Sequence, residues 1–270
     1  PVYGLPGFSN LTGTLRMTDE TGSLTLDSQA AEVSVPALFA DTVAIDELAG
    51  TLIWRRSGDI VHVVSDAVRM RSRSLDATAT LEIDLDTTVG VQTVDVDTQW
   101  SLGDVNDAKQ LLPVAVMQPK LASWLTQAVE SGRIVSGDFK LSGPLAQFPF
   151  ADGGGVFRAS AISEDIVMQY AREWPKLTGV SAVVELDGLS LSTRQNSGLS
   201  GNIPFRDANV RFEDLTSGEL LIDTEGEAPL AELQLFAASS PIERLLGGQI
   251  DRMQLGGNAE YEVSLRVPLK

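Results

Sequence analysis

The sequence contains no cysteine, which excludes disulfides and thiolate metal sites. It has one histidine, His62. Any Ser-His-Asp triad would have to use it, and no serine lies in a Gly-x-Ser-x-Gly elbow. One histidine without cysteine also leaves no realistic zinc site. Basic residues are scarce, with 20 Lys and Arg against 37 Asp and Glu and a formal net charge of -17. Nucleic-acid binding needs a positive footprint that this chain lacks, and an anionic membrane surface would repel it. Aromatic residues are only 6% of the total, so the apolar surface is mainly aliphatic. No apolar run approaches the roughly 20 residues of a membrane-spanning helix. No signal peptide opens the chain. The first residue is Pro1 rather than Met, which marks a mature chain or a segment of a longer one.

What is present is alternation. With 43% hydrophobic and 21% charged residues the chain is expected to fold, and its apolar residues recur with period two. Leu81, Ile83 and Leu85 fall on one face of a strand, Glu82, Asp84 and Asp86 on the other. The same pattern places Leu24 with Leu26, Val94 with Val96 and Trp100, and Phe139 with Leu141. It recurs in Val210 with Phe212, Leu220 with Ile222, and Leu233 with Leu235. In the last strand Tyr261, Val263 and Leu265 oppose Glu260, Glu262 and Ser264. Such segments are antiparallel strands with one dry and one wet face. Turn signals separate them at Glu20-Thr21-Gly22, Ser57-Gly58-Asp59, Asp152 to Gly155, Asn196-Ser197-Gly198 and Gly256-Gly257-Asn258. About 15 strands are expected by these rules. So many must curl, close or fold into two layers; alternation does not say which, and from the residues alone a sandwich with a packed inner face is the expected form.

One stretch reads differently. Pro119 suits a first helical position, and Leu121, Trp124, Leu125, Ala128 and Val129 form one apolar stripe at helical spacing. Gly132 supplies a stop, so a helix is expected over about Pro119 to Ser131, docked on the sheet through Leu121, Trp124, Leu125 and Val129. Short helical turns are expected near Asn106 to Leu112 and Pro241 to Leu246. With no Pro/Ser-rich linker, the chain reads as one continuous β unit: strands over 1–103, a helical insertion over 104–135, and strands over 136–270.

Carboxylates at i, i+2 spacing are the remaining candidates for chemistry: Asp84/Asp86, Asp95/Asp97, Glu260/Glu262 and Asp223/Glu225/Glu227. Such pairs stand about 6.5–7 Å apart on one strand face, within the range of an inverting glycosidase. All lie opposite the apolar residues, where their repetition fits a solvated exterior better. The glycine clusters lack the Gly-Lys-Ser/Thr ending of a phosphate loop and read as turns. No catalytic motif, metal or cofactor is called for.

Several longer phrases carry a resemblance. LPGFSNLTGTLRMTDETGSLTLDSQAAEVSVPALF with IDELAGTLIWRR, LPVAVMQPKLASWLTQAVESGRIVSGDFKLSGPLAQFPF with GGGVFRASA, and MQYAREWPKLTGVSAVVELDGLSLS resemble the YhdP subfamily of AsmA-like proteins. The likeness spans almost the whole chain. It implies an elongated, curled antiparallel sheet forming an apolar groove. It also implies a periplasmic segment of an inner-membrane-anchored protein of a Gram-negative envelope. In that reading a bridge-like protein carries phospholipid between inner and outer membrane. The groove would then be lined by the alternating residues Leu24 to Leu265 named above, with acyl chains as cargo. An envelope scaffold without cargo is the alternative, and a carbohydrate-acting β protein a more distant one.

Overall fold

In the computed structural model the alternating segments become strands of one sheet. Described are residues 7–34, 41–109, 119–150, 152–214, 219–245, 247 and 254–268. β1 (Gly7–Ser9) and β2 (Gly13–Met17) both pair with β3 (Thr21–Ser34). The chain then runs through β4 (Val43–Ser57), β5 (Ile60–Ser72), β6 (Leu75–Asp86) and β7 (Gly90–Leu102). β8 (Val129–Pro144), β9 (Val156–Met168), β10 (Leu177–Asp187) and β11 (Ser190–Ser200) follow. β12 (Ile203–Phe212), β13 (Glu219–Pro229) and β14 (Asn258–Pro268) end an open antiparallel sheet of 14 strands. From β3 onward each strand hydrogen-bonds the next in sequence. The mainly β architecture expected from alternation is the one that forms.

Helical pieces occupy connections. α1 (Val105–Ala108) starts at Asp104, whose carboxylate accepts from the Asn106 N–H at 2.9 Å. α2 (Pro119–Ala128) connects into β8, and α3 (Leu230–Ala238) with α4 (Ile242–Leu245) separates β13 from β14. The remainder of the first short helix expected near Asn106, at residues 110–112, lies outside the described residues, as does Leu246.

Three local expectations need correction. Leu233 and Leu235 lie in α3, not in a strand. A Leu-x-Leu pair is too short to set a period, and Leu-Ala-Glu-Leu-Gln-Leu-Phe-Ala-Ala has no β-branched residue to oppose a helix. Asn196-Ser197-Gly198 is no turn but the interior of β11, where the register with β12 shifts. The central helix ends at Ala128, and Val129 and Gly132 belong to β8. β-branched Val129, Ile134 and Val135 favour the strand, and Gly132 lets that strand pass close to Ile166 of β9.

Two compact units can be distinguished, Pro1–Ala122 with Ser136–Ser160 and Leu186–Gly188, and Ser123–Val135 with Ala161–Glu185 and Leu189–Lys270. In the first, Leu26, Ala31, Val43, Ile45 and Leu48 form a small packed core beside Leu24, Leu52 and Met70. Elsewhere Leu102, Val105, Phe150 and Ile203 are buried singly, and many other apolar side chains remain part-exposed. Among the described residues, the largest side chains with less than 2% exposure are those of Ser28 and Ser72.

Those serines, with Ser65, Ser163 and Asn196, donate to backbone carbonyls. A β-bulge leaves backbone groups without ladder partners, and a buried unpaired carbonyl is costly. Ser65 donates to the Thr51 carbonyl at 2.7 Å, Ser163 to that of Ala182 at 3.1 Å, and the Asn196 amide to that of Ala208 at 2.5 Å. Ser65 and Asn196 stand at shifts of register. Ser28 donates to the Thr12 carbonyl at 3.0 Å and accepts from the Thr12 N–H at 2.8 Å. Ser28→Ala is therefore expected to destabilise the chain by about 1–3 kcal/mol, with amide exchange rising first in β2. Urea titration with hydrogen exchange measures both.

Candidate functional site

Directly opposed residues on neighbouring strands share a face, so register defines what each face carries. In the first unit, Gly22, Trp54, Val63, Ile83 and Val94 are successive cross-strand partners. Leu81 faces Val96, Leu85 faces Val91, and Leu24 stands between Leu15 and Leu52. Leu26 continues through Gly50 and Val68 to Ala79. One face of β2 to β7 is therefore almost wholly aliphatic, with Trp54 and Trp100 added. Leu26 and Val94 are buried, both at 9% exposure, whereas Leu24, Leu81, Ile83, Leu85 and Val96 are half-buried. On β8, Phe139 and Leu141 alternate with Asp138 and Lys140, and the Phe139 ring meets Phe157 of β9 edge-on at 6.1 Å.

The second unit has its own version of this surface. Phe212 pairs with Leu220, and Val210 with Ile222, which in turn pairs with Leu265. Thr224 faces Val263 and Gly226 faces Tyr261. Val210, Phe212, Leu220, Ile222, Tyr261 and Val263 are half-buried and Leu265 is 38% exposed. The structure thus gathers the expected strand residues of each unit onto a shared face. Leu233 and Leu235 are the exceptions. In α3, Leu235 is 59% exposed and neither residue belongs to a strand.

Alternation does not assign Trp54, which reads from sequence as a buried strand tryptophan, or Val63 and Val68 to the apolar rows. Ile53 and Val64 place apolar residues on the opposite face, so Leu52-Ile53-Trp54 and Val61-His62-Val63-Val64 read as unpatterned runs, and a bulge in β5 between Ser65 and Val68 shifts the parity that reaches Val68. The available signal was a tryptophan facing a glycine across the ladder.

The helix stripe is only partly described. The side chains of Leu121 and Leu125 lie outside the described residues. Ala128 is buried, Val129 half-buried, and Trp124 is 41% exposed with its indole N–H donating to the Tyr170 carbonyl at 2.9 Å. Tyr170 stacks near Trp174, whose ring lies 5.9 Å from Phe236 of α3. Burial pushes the Tyr170 hydroxyl up to about 12.

The opposite face is a polar ladder. His62 Nδ1 lies 2.8 Å from Asp84, whose other oxygen accepts from Thr93 at 2.8 Å. Lys140 is shared by Asp97 at 2.8 Å and Asp95 at 3.4 Å, and Ser142 donates to Asp95 at 2.7 Å. Arg133 pairs with Glu164, Arg194 with Glu185, and Arg71 with Glu47. The Asp84/Asp86 and Asp95/Asp97 carboxylates are thus tied to cross-strand or turn partners on the wet face. Among the described residues no group of three or more His, Cys, Asp or Glu is placed to hold a metal.

These bonds leave a titration signature. The His62 and Thr93 donors lower the Asp84 pKa below its ordinary 3.8, and the Ser142 hydroxyl, then Lys140, does the same for Asp95. A carboxylate with a lowered folded pKa contributes its stability fully above its unfolded pKa and loses it as pH falls through the folded value. Asp95→Asn should therefore flatten the acid limb of stability below about pH 4 and leave the slope between pH 5 and 7 unchanged. Melting temperatures of both chains across pH 2.5–7 test this. An altered slope at pH 5–7 would contradict it.

Comparison with known proteins then adds to this geometry. The family model described as "YhdP protein" matches residues 1–270. The chain is 24% identical over 277 aligned positions to the Escherichia coli (strain K12) protein named "Intermembrane phospholipid transporter YhdP". That alignment covers 98% of this chain and 21% of the relative, so the chain spans about a fifth of the relative's length. No solved structure matches.

Proposed function

Since the chain belongs to the YhdP family, we propose that its apolar sheet face is a path for phospholipid acyl chains, one segment of a longer conduit between two membranes of a cell envelope. The observation that carries this reading is the half-buried state of the apolar rows. A sandwich would close its inner face with a second layer. Here all described strands belong to one sheet, and residues such as Leu81, Ile83 and Val96 keep part of their surface open. Apolar surface left open on this scale marks an interaction site or a ligand groove.

The mechanism needs no reaction. Each methylene removed from water contributes about 0.8 kcal/mol, so an acyl chain lying on this face is held along its length. Contact on one side realises only part of that amount, and neighbouring positions are chemically alike. The chain can therefore shift along the face without crossing a barrier at each step. The head group stays toward water. The acidic opposite face keeps the strand exteriors hydrated and away from anionic membrane surfaces, consistent with a periplasmic stretch between the membranes. No described helix is long and apolar enough to cross a membrane. The relative's name supports phospholipid as the cargo.

Ile83→Asp tests the reading. On an open lipid-bearing face the carboxylate reaches water when lipid is absent, so the chain stays folded and loses co-purified phospholipid. On a face packed as core, the unpaired charge costs several kcal/mol and unfolds the chain. Glu82→Lys, on the wet face, should change neither property. Melting curves beside lipid quantification separate these outcomes. An Ile83→Asp chain that unfolds, or that keeps its full lipid content, refutes the assignment.

A further inference from the structure

Aromatic rings on the apolar face share an unusual seating. Trp54 is the cross-strand partner of Gly22, and a Cβ placed on Gly22 would fall within the indole, against Cζ2 and Cε2. A Cβ on Gly137 of β8 would collide in the same way with Trp100 of β7. In the second unit Tyr261 is the partner of Gly226, where a Cβ would meet the phenol ring and its hydroxyl. Phe205 is the partner of Gly198, with its Cζ 3.1 Å from the corresponding point. Each ring therefore lies across the neighbouring strand and fills the place of the missing side chain. The Tyr261 hydroxyl fixes the tilt further by donating to the Pro204 carbonyl at 2.6 Å.

Glycine inside a strand is costly to stability and normally marks a bulge or a close approach. An aromatic laid over a cross-strand glycine recovers part of that loss. Stability alone, however, would be met as well by β-branched residues on both strands. The glycine–aromatic pair differs from that solution in the height of its surface. A ring laid flat over a glycine covers two positions with one ring thickness. The same ring beside a residue bearing a Cβ must stand away from the sheet, into the space above the aliphatic rows.

We propose that Gly22, Gly137 and Gly226 are positioning residues for lipid passage: by accepting Trp54, Trp100 and Tyr261 flat against the sheet, they keep the apolar face low enough for an acyl chain to lie on it. This rests on the acyl-path reading and deepens it by assigning the residues that set the path's clearance. It also gives the rings a role, since a flat ring is a smooth apolar surface with its edge turned away from the passing chain.

The test uses the purified 270-residue chain and a phosphatidylethanolamine bearing a fluorescent acyl chain as the probe. Gly22→Ala and Gly226→Ala are compared with Ser23→Val on the opposite face and with the double variant Gly22→Ala/Trp54→Leu. Gly22→Ala and Gly226→Ala should each lower probe binding severalfold, Ser23→Val should leave it unchanged, and the double variant should recover most of the loss. Tryptophan emission should shift in Gly22→Ala as the indole leaves its seat. A merely structural glycine would lower the melting temperature without recovery of binding in the double variant, and that result overturns the proposal. So does probe binding by folded Gly22→Ala equal to that of the unaltered chain. If Gly22→Ala does not fold, the Gly226→Ala variant and the double variant decide by the same criteria. Failure of the unaltered chain to bind the probe at all would instead refute the acyl-path reading on which the proposal stands.

Discussion

A sheet with one apolar face must cover that face with something, and much of this structure follows from how incompletely the described chain does so. Among the described strands, each from β3 to β13 is hydrogen-bonded to a neighbour on both sides, so the ladder holds without a second layer. The side chains are less fully covered. Fully buried positions are held by small residues such as Ala31, Ser28 and Ser72, while Ile83, Leu81 and Val210 remain half-open. The hydrophobic effect then has a residual claim on these rows that acyl chains are suited to meet.

The two faces divide the work. On the wet side, carboxylates and cations alternate across strands, with Lys140 between Asp95 and Asp97 and Asp84 held by His62 and Thr93. Pairs this exposed contribute little stability each, about 0–1 kcal/mol. Their consequence is solubility and the exclusion of slipped registers, since a one-residue slip would turn the carboxylates onto the apolar side. On the dry side, aliphatic residues dominate and the aromatic rings of Trp54, Trp100 and Tyr261 lie down over glycines. Bulges capped by Ser65 and Asn196 bend the strands while their side chains bond backbone carbonyls.

Period-two alternation made the strands and their faces legible wherever the ladder is regular, as from Leu81 to Asp84 and from Tyr261 to Leu265. It failed where something other than alternation decides. Ile53 and Val64, apolar on the opposite face, hide Trp54 and Val63 in runs without a pattern, and a bulge in β5 after Ser65 shifts the parity of Val68. Leu233 and Leu235 show the converse, a fragment of alternation inside a segment whose propensities are helical. The reach of α2 was overstated because its stripe continues into Val129, a residue that serves a helix or a strand equally well by hydropathy and is drawn into β8 by its β-branched neighbours. Asn196-Ser197-Gly198 has turn composition, yet its asparagine amide caps a bulge inside β11. The apolar surface was legible only as a face. Whether that face is covered is a tertiary property that alternation does not encode.

The central claim is that lipid lies on one face of the sheet only. A phospholipid with a photoreactive diazirine at the end of its acyl chain, bound to the purified chain and irradiated, tests it residue by residue. Peptide mapping of β6 and β7 should find label at Leu81, Ile83, Leu85, Val94 and Val96 and little at Glu82, Asp84 and Asp95, a period-two pattern along each strand. Label spread equally over both faces, or no label above that of an unfolded control, would contradict the account.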